Sequence, residues 1–377
     1  MTVCFFGMYH RDDSRNENIM SALRRAGCTV YECHYNLWAR IPTRLNLTHW
    51  QRVRVVLTWL AGCFVLTARY AMLPRHDAVI TGALCHADVP LAWVLTRIRR
   101  VPLVVDVFVS LYLTVVSDRH WVRRHGLCAR LLALADRFIV WCADIALLDT
   151  QVHIRYFSRI CPRARAKFRR VWVSTPEVFV PNPDRTTGNG DAMHVIFYGT
   201  YVPLQGVPVI VRAAYLLRHE PFRFTLVGHG QEYHQCRCLA KELNLAHVEF
   251  IPWLTLDALA RGLAEHDIAL GIFGTGVKAS LVIPNKVYAY MAAGVPFITR
   301  DSMALRELCT PGRDCLAVPA GDPAALAEAL RYARTNRAHC AAMAANARKV
   351  FLTRASLDRV GATLRRLLEN TATRPGA

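Results

Sequence analysis

TVCFFGMYHRDDSRNENIMSALRRAGCTVYECHY, residues 2–35, reads as strand, helix and strand in succession. TVCFFG (2–7) is a short apolar run closed by a glycine, the pattern of a buried strand. Ser14 and Glu17 have capping-box spacing, so a helix is expected to open at Ser14. Ile19, Leu23 and Ala26 give it an apolar stripe, and Gly27 is placed to end it. CTVYECHY (28–35) returns as a second strand. Two strands joined through a helix lie parallel, which makes this an α/β unit with a buried sheet.

The same rhythm runs outward from there. AVITG (78–82), PLVVDVFV (102–109), DIALLD (144–149) and RRVWVS (169–174) are expected strands, separated by helices at 90–98, 127–138 and 150–159. PNPDRTTGNGDA (181–192) is polar and rich in Pro and Gly, as an interdomain linker is. Beyond it, HVIFYG, FRFTLVG, HVEFI, DIALGIF, VPFIT and CLAVPA alternate with helices near 206–218, 231–243, 255–264, 284–293 and 303–309. About fifty residues of Ala- and Arg-rich helix follow. The expected architecture is α/β, with two tandem Rossmann-like doubly wound domains facing across a cleft. Residues 1–180 form the first, 181–192 the linker, 193–354 the second, and 355–377 a helix and tail that cross back to the first. Ligands in such sheets bind at the carboxyl ends of the strands.

Of 377 residues, 47 are Lys or Arg and 28 Asp or Glu, giving +19. Residues 1–190 carry +13 and the remainder +6. Nucleic acid, an anionic membrane surface and a phosphorylated substrate could each answer such charge. No zinc finger, RNA-binding aromatic signature or basic-helix motif accompanies it, so nucleic acid is not expected as a partner. The 13 cysteines are spread without a C-x-x-C, which predicts reduced thiols and no metal site. The N-terminal residues lack a basic leader before an apolar core, so a cytoplasmic location is expected. Between Arg54 and Arg69 the apolar run is 14 residues, short of the ~20 needed to span a bilayer. Residues 47–74 interleave Trp50, Trp59, Phe64 and Tyr70 with Arg52, Arg54 and Arg69. That pattern suits either a helix packed on the sheet or a segment lying on an anionic membrane surface.

Three loops in the second half carry glycines between a strand and a helix. They are YGTYVPLQG (198–206, with Gly199, Gln205 and Gly206), VGHGQ (227–231, with Gly228, His229 and Gly230) and GIFGTGVK (271–278, with Lys278). Glycine ends strands for steric reasons, and it also lets backbone amides approach an anion. IPNKVYAYMAAGVPFITR (283–300) places Pro284, Asn285 and Lys286 at a helix start, a polar fork and a cation where a core helix needs neither. Asp106 follows four apolar residues at a strand's carboxyl end. It either faces a cleft, aligning a hydroxyl or accepting its proton, or caps a loop.

These segments together resemble the retaining glycosyltransferases of family 4, which have the GT-B fold. FYGTYVPLQGV, FTLVGHG and IPNKVYAYMAAGVPFIT are similar to the family's C-terminal loops and donor helix, and Asp301 through Glu307 to the turn after it. FGMY-x(5)-RN, VVDVFVSLY and ADIALLDTQVH are similar to a bacterial subgroup. The resemblance implies transfer of a sugar from a nucleotide-sugar to a glycan or lipid-linked acceptor with retained configuration. It implies no cofactor and no strict need for a metal, because cations and helix dipoles stabilise the departing diphosphate. Carried over, Gly199, Gln205, Gly206, Gly228, His229, Gly230, Lys278, Pro284, Asn285 and Lys286 would hold the donor. Gly7, Arg15 and Asn16 would line the acceptor side, and Asp106 would be catalytic. Many relatives have an Arg and a Lys where Thr200 and Gln205 stand, and two glutamates where Leu281 and Ala289 stand; Ser174 replaces a favoured Gly. The alternative is therefore a catalytically inactive relative that binds or scaffolds. Many relatives act at membranes, so peripheral attachment to the inner membrane face is expected through residues 47–74.

Overall fold

The computed structural model describes residues 1–11, 13–37, 49–181 and 191–372. The first domain runs β1 (Thr2–Gly7), α1 (Ser14–Arg25), β2 (Thr29–His34), α2 (His49–Met72), β3 (Ala78–Thr81), α3 (Val89–Arg99), β4 (Leu103–Asp106), α4 (Leu127–Cys142), β5 (Ile145–Leu148), α5 (Gln151–Ile160) and β6 (Phe168–Arg170). The second runs β7 (Met193–Tyr198), α6 (Val207–Leu216), β8 (Phe222–Val227), α7 (Tyr233–Glu242), β9 (Val248–Ile251), α8 (Leu256–Glu265), β10 (Ile268–Leu270), α9 (Val277–Leu281), α10 (Asn285–Ala293), β11 (Phe297–Arg300) and β12 (Leu316–Val318). Three helices close the chain: α11 (Pro323–Thr335), α12 (Arg337–Arg354) and α13 (Leu357–Ala372).

Each domain holds a six-stranded parallel sheet. The orders are β2-β1-β3-β4-β5-β6 and β12-β11-β10-β7-β8-β9. In both, the strand order reverses beside the domain's first strand, the position where doubly wound sheets open a ligand crevice. The first-domain strands β1, β3, β4 and β5 are buried almost throughout. Strands covered on both faces must be apolar along their whole length, and these are.

The final helix crosses back as expected. Leu357, Val360, Leu364 and Leu368 of α13 join Ile19 and Leu23 of α1 in one apolar cluster. Gly361 permits that approach, since a Cβ there would lie 2.1 Å from the Ala22 carbonyl oxygen. Arg25 pairs with Asp358 at 2.7 Å, and Arg365 Nη1 donates to the Ala26 carbonyl at 2.8 Å.

Several local expectations need correction. Helix α1 is capped by Asp13, whose carboxylate accepts from the amides of Arg15 and Asn16; Ser14 is already helical. The stretch 169–174 supplies only the short β6, and 303–309 holds a three-residue 3-10 turn, Leu305–Glu307. A π-helical turn, Leu113–Asp118, and α9 were not foreseen. The linker expected at 181–192 falls mostly on 182–190, outside the described residues. Helix α2 continues well past the 14-residue run, and Val53–Met72 is long and apolar enough to cross a membrane by length and composition. One side of it is nonetheless seated on the first domain: Gly62, Leu66 and Tyr70 are buried, and Trp59 Nε1 donates to Asp88 at 2.9 Å.

Away from the cleft the domains are fastened by Glu307. Its carboxylate accepts from the amides of Gln151 and Val152, both at 2.7 Å, and meets Arg170 at 3.2 Å. A carboxylate from one domain thus caps the N-terminus of α5 in the other, where the helix dipole favours negative charge. Glu307→Ala is expected to cost about 1–2 kcal/mol, the scale of a lost cap. Amide exchange at Gln151 and Val152 should rise while β1 and β7 keep their protection; unchanged exchange would show that the latch carries no load.

Candidate active site

The second-domain loops converge at the carboxyl ends of β7, β8 and β10. The would-be Cβ of Gly228 lies 2.0 Å from the Gly199 carbonyl oxygen, and that of Gly206 lies 2.5 Å from the Gly274 amide. Gly206 (φ +65°) and Gly228 (φ +129°) also occupy backbone conformations that L side chains avoid. These glycines let the loops interlock. Their amides are spent doing so: Gly199 donates to Val227, Gly228 to Ile251, Gly206 to Pro203 and Tyr201 to His229. The expected cradle of glycine amides is therefore largely committed to loop structure.

What the loops frame is a lysine. Lys286, in the first turn of α10, is 4% exposed. Its Nζ donates to Gln205 Oε1 at 2.6 Å, stands 3.7 Å from the Phe197 ring centroid, and would meet a Cβ on Gly199 at 2.8 Å. Burial drives its pKa well below the ordinary lysine value. Among the described residues no carboxylate pairs with it. A second, long bond reaches the Gly271 carbonyl at 3.5 Å, and a buried amine with two neutral oxygens and an aromatic face is an incomplete anion site. Gly199, Gln205 and Lys286, far apart in sequence, are thus brought together.

The other expected donor residues are distributed around this point. Pro284 precedes α10 as its N-cap. Asn285 Nδ2 donates across the cleft to Ser14 Oγ at 3.1 Å. Lys278 Nζ reaches Thr114 Oγ1 in the first domain at 3.0 Å; burial lowers its pKa, opposed by the nearby charge of Asp118. Gln231 Nε2 donates to the Arg119 carbonyl at 3.2 Å, closing the same side. His229 is exposed, and its ring lies 4.6 Å from that of Tyr233. A cavity of about 750 Å³ opens behind this loop, between α7 and β9, away from Lys286.

In the first domain Asp106 is 2% exposed and Arg15 1%. Arg15 Nε donates to Asp106 Oδ2 at 2.9 Å and Nη2 to Oδ1 at 3.3 Å, while Nη1 bonds the Val171 and Trp172 carbonyls. The Phe108 amide also reaches Asp106 Oδ1, at 3.3 Å. Burial opposes the Arg15 charge, but Asp106 outweighs it and the guanidinium pKa rises. Asn16 is fully buried and accepts from the Ala83 amide at 2.7 Å. Gly7 (φ +132°) lies against Cys85 and Asp88, 3.0 and 3.1 Å from its would-be Cβ. Arg15, Asn16 and Asp106 thus sit inside the first domain, beneath the cleft floor.

Beside them is a pair the sequence reading passed over. Asp149 Oδ1 and His153 Nδ1 are 2.8 Å apart, and both side chains are almost fully buried. Asp149 Oδ2, His153 Nε2 and Ser174 Oγ have no partner among the described residues. The i, i+4 spacing of Asp and His in DTQVH was the available signal.

Known proteins bear on this geometry. Residues 192–336 match the family Glycosyl transferases group 1. WbjE of Pseudomonas aeruginosa, described as a probable glycosyltransferase, is 27% identical over 273 residues, 67% of this chain and 65% of that protein. The match therefore spans just under two thirds of that relative. Sucrose-phosphate synthase from Thermosynechococcus elongatus superposes with a TM-score of 0.76 at 15% identity, covering 98% of each chain. HepE from Anabaena, solved with UDP-glucose, gives 0.71 at 13% identity, covering 98% of this chain and all of its own. The fold is GT-B, and the match to the glycosyl transferases group 1 model lies within its second domain.

Proposed function

We propose that the protein is a glycosyltransferase that takes a sugar from a nucleotide-sugar and passes it to a glycan or lipid-linked acceptor with retained anomeric configuration. The observation that carries this reading is Lys286, a buried amine that no carboxylate pairs among the described residues, at the carboxyl end of the sheet in the domain that matches the group 1 model. A donor diphosphate would supply the missing counter-charge, and the amine would stabilise the negative charge that develops as the sugar departs. Lys278 and Asn285, which bond to the first domain, would bring the donor and the acceptor side into one closed cleft. In this reading the Arg15–Asp106 pair is a positioning device. It holds the carboxyl end of β4 to α1 and to the segment after β6. Retention of configuration follows the resemblance to family 4, and the anomer of the product, read by NMR, tests it. Attachment to the inner membrane face through the exposed side of α2 would place a lipid-linked acceptor near the cleft.

Calorimetry against UDP-, GDP- and ADP-sugars tests donor use, and its pH dependence tests the role of Lys286. A diphosphate favours the charged amine, so binding takes up a proton wherever free Lys286 is neutral. Affinity should be flat at low pH and fall as pH rises through the depressed pKa of Lys286, well before the range of an ordinary lysine. No binding to any of the three sugars would remove the donor assignment. Binding whose affinity does not fall on the alkaline side would remove Lys286 from it.

A further inference from the structure

A dense run of positive charge lies along the outer edge of the first sheet. From Arg155 to Arg170 the chain carries six arginines and one lysine, with no Asp or Glu among them. Helix α5 buries His153, Ile154 and Phe157 and leaves Gln151, Arg155 and Arg159 exposed, four residues apart on one face. A 3-10 run, Pro162–Lys167, then returns the chain to β6, the edge strand, which pairs with β5. The return brings Arg165, Arg169 and Arg170 beside the stripe of α5. Together the five arginines line a recess of about 550 Å³, and no carboxylate is among its lining residues.

Like charges gathered around one hollow repel, so the arrangement destabilises the free protein. Arg170 has a carboxylate partner, Glu307 at 3.2 Å. Arg169 donates to the carbonyls of Ala166 and Phe168, which carry no net charge. Among the described residues no acid pairs with Arg155, Arg159 or Arg165. Beyond Arg170 the positive surface continues, since Arg170 and Arg354 line a second hollow of about 290 Å³ beside Trp172. The chemistry of the recess selects its ligand. Guanidinium forks take phosphate oxygens two at a time. The volume falls within the range of small-molecule sites, roughly 300–1,000 Å³. Between residues 151 and 170 no large apolar side chain is exposed, so nothing here would enter a membrane interior.

We infer that the recess between α5 and β6 is a binding site for a short chain of linked phosphates, inorganic or carried on a nucleoside. Such a chain sets negative charges on successive units and can engage arginines from both walls at once, which a single orthophosphate cannot. The recess is built from the first domain alone and shares no residue with the loops around Lys286. The assignment therefore stands apart from the sugar-transfer reading.

Calorimetry on the full chain in about 0.15 M salt, which screens diffuse attraction, tests the site. The wild type should bind tripolyphosphate at least tenfold more tightly than orthophosphate. ATP measured beside it identifies the source: tighter ATP adds the nucleoside, and tighter tripolyphosphate assigns the inorganic chain. Arg155→Gln/Arg159→Gln should weaken tripolyphosphate at least tenfold. Both positions are exposed, so thermal melting should not fall and nucleotide-sugar affinity should be unchanged. Arg212→Gln/Arg223→Gln removes the same charge from exposed positions of the second domain and should leave tripolyphosphate binding intact. An equal loss in that control would mean diffuse charge without a site, and would overturn the inference. So would a wild type that binds orthophosphate as tightly as tripolyphosphate, or binds neither. Lys286→Met separates the two sites. Binding lost there but kept in Arg155→Gln/Arg159→Gln would put tripolyphosphate at the donor loops, defeating the recess while sparing the donor reading.

Discussion

Lys286→Met should lower donor affinity about 30- to 1000-fold, which corresponds to about 2–4 kcal/mol, without lowering the stability of the free protein. The two halves of this expectation have one cause. In the free protein the amine is buried, with a single short bond to Gln205 and no carboxylate partner among the described residues. Keeping a charge there is costly, and an apolar chain of similar length removes the cost. The same substitution deprives an incoming diphosphate of its buried counter-charge. Thermal melting that stays level or rises, with weakened calorimetric binding, is the expected signature. A fall in both would make Lys286 a tether for the 199–206 loop instead. Unchanged binding would place the diphosphate elsewhere.

Asp106→Ala is expected to destabilise the first domain by about 3–5 kcal/mol, because it leaves the Arg15 guanidinium buried without its carboxylate. Among the described residues Arg15 would keep the Val171 and Trp172 carbonyls, the Phe108 ring 5.1 Å from its centre and, without a bond to it, the nearby charge of Asp149. Replacing both partners, as in Arg15→Met/Asp106→Leu, should recover most of the loss, since a well-packed apolar pair often matches a buried ion pair. Urea unfolding of the single and double variants separates this from a chemical role. If Asp106 acted on substrate alone, the single variant would unfold like the wild type and only turnover would fall.

The sheets and their direction were legible because strand–helix alternation is a local pattern, and right-handed parallel crossovers leave few ways to arrange it. Gly199, Gln205 and Lys286 could be named because each sits at a strand end or helix start. Their meeting point could not, since it depends on how three loops interlock. The Arg15–Asp106 and Glu307–Gln151 contacts join residues 91 and 156 positions apart, and no periodicity encodes such pairs. The cap of α1 was misplaced by one residue because Asp13 and Ser14 are both good N-caps and only the backbone chooses between them. Helix α4 is apolar on nearly every side. Sequence could show that it was a helix but not which apolar face the sheet would take.

The return of α13 onto α1 has a consequence for how the chain is made. The first domain is assembled from both ends of the described chain, with the second domain inserted between them. Synthesis runs from the N-terminus, so the side of α1 that Leu357, Val360, Leu364 and Leu368 cover stays bare until those residues emerge. The second domain, contiguous from β7 to β12, can fold earlier. The order of maturation on the ribosome is thereby the reverse of the order of translation for the last step. A message cut short before α13 would yield a folded second domain joined to a first domain that still exposes the Ala22 and Ala26 side of α1.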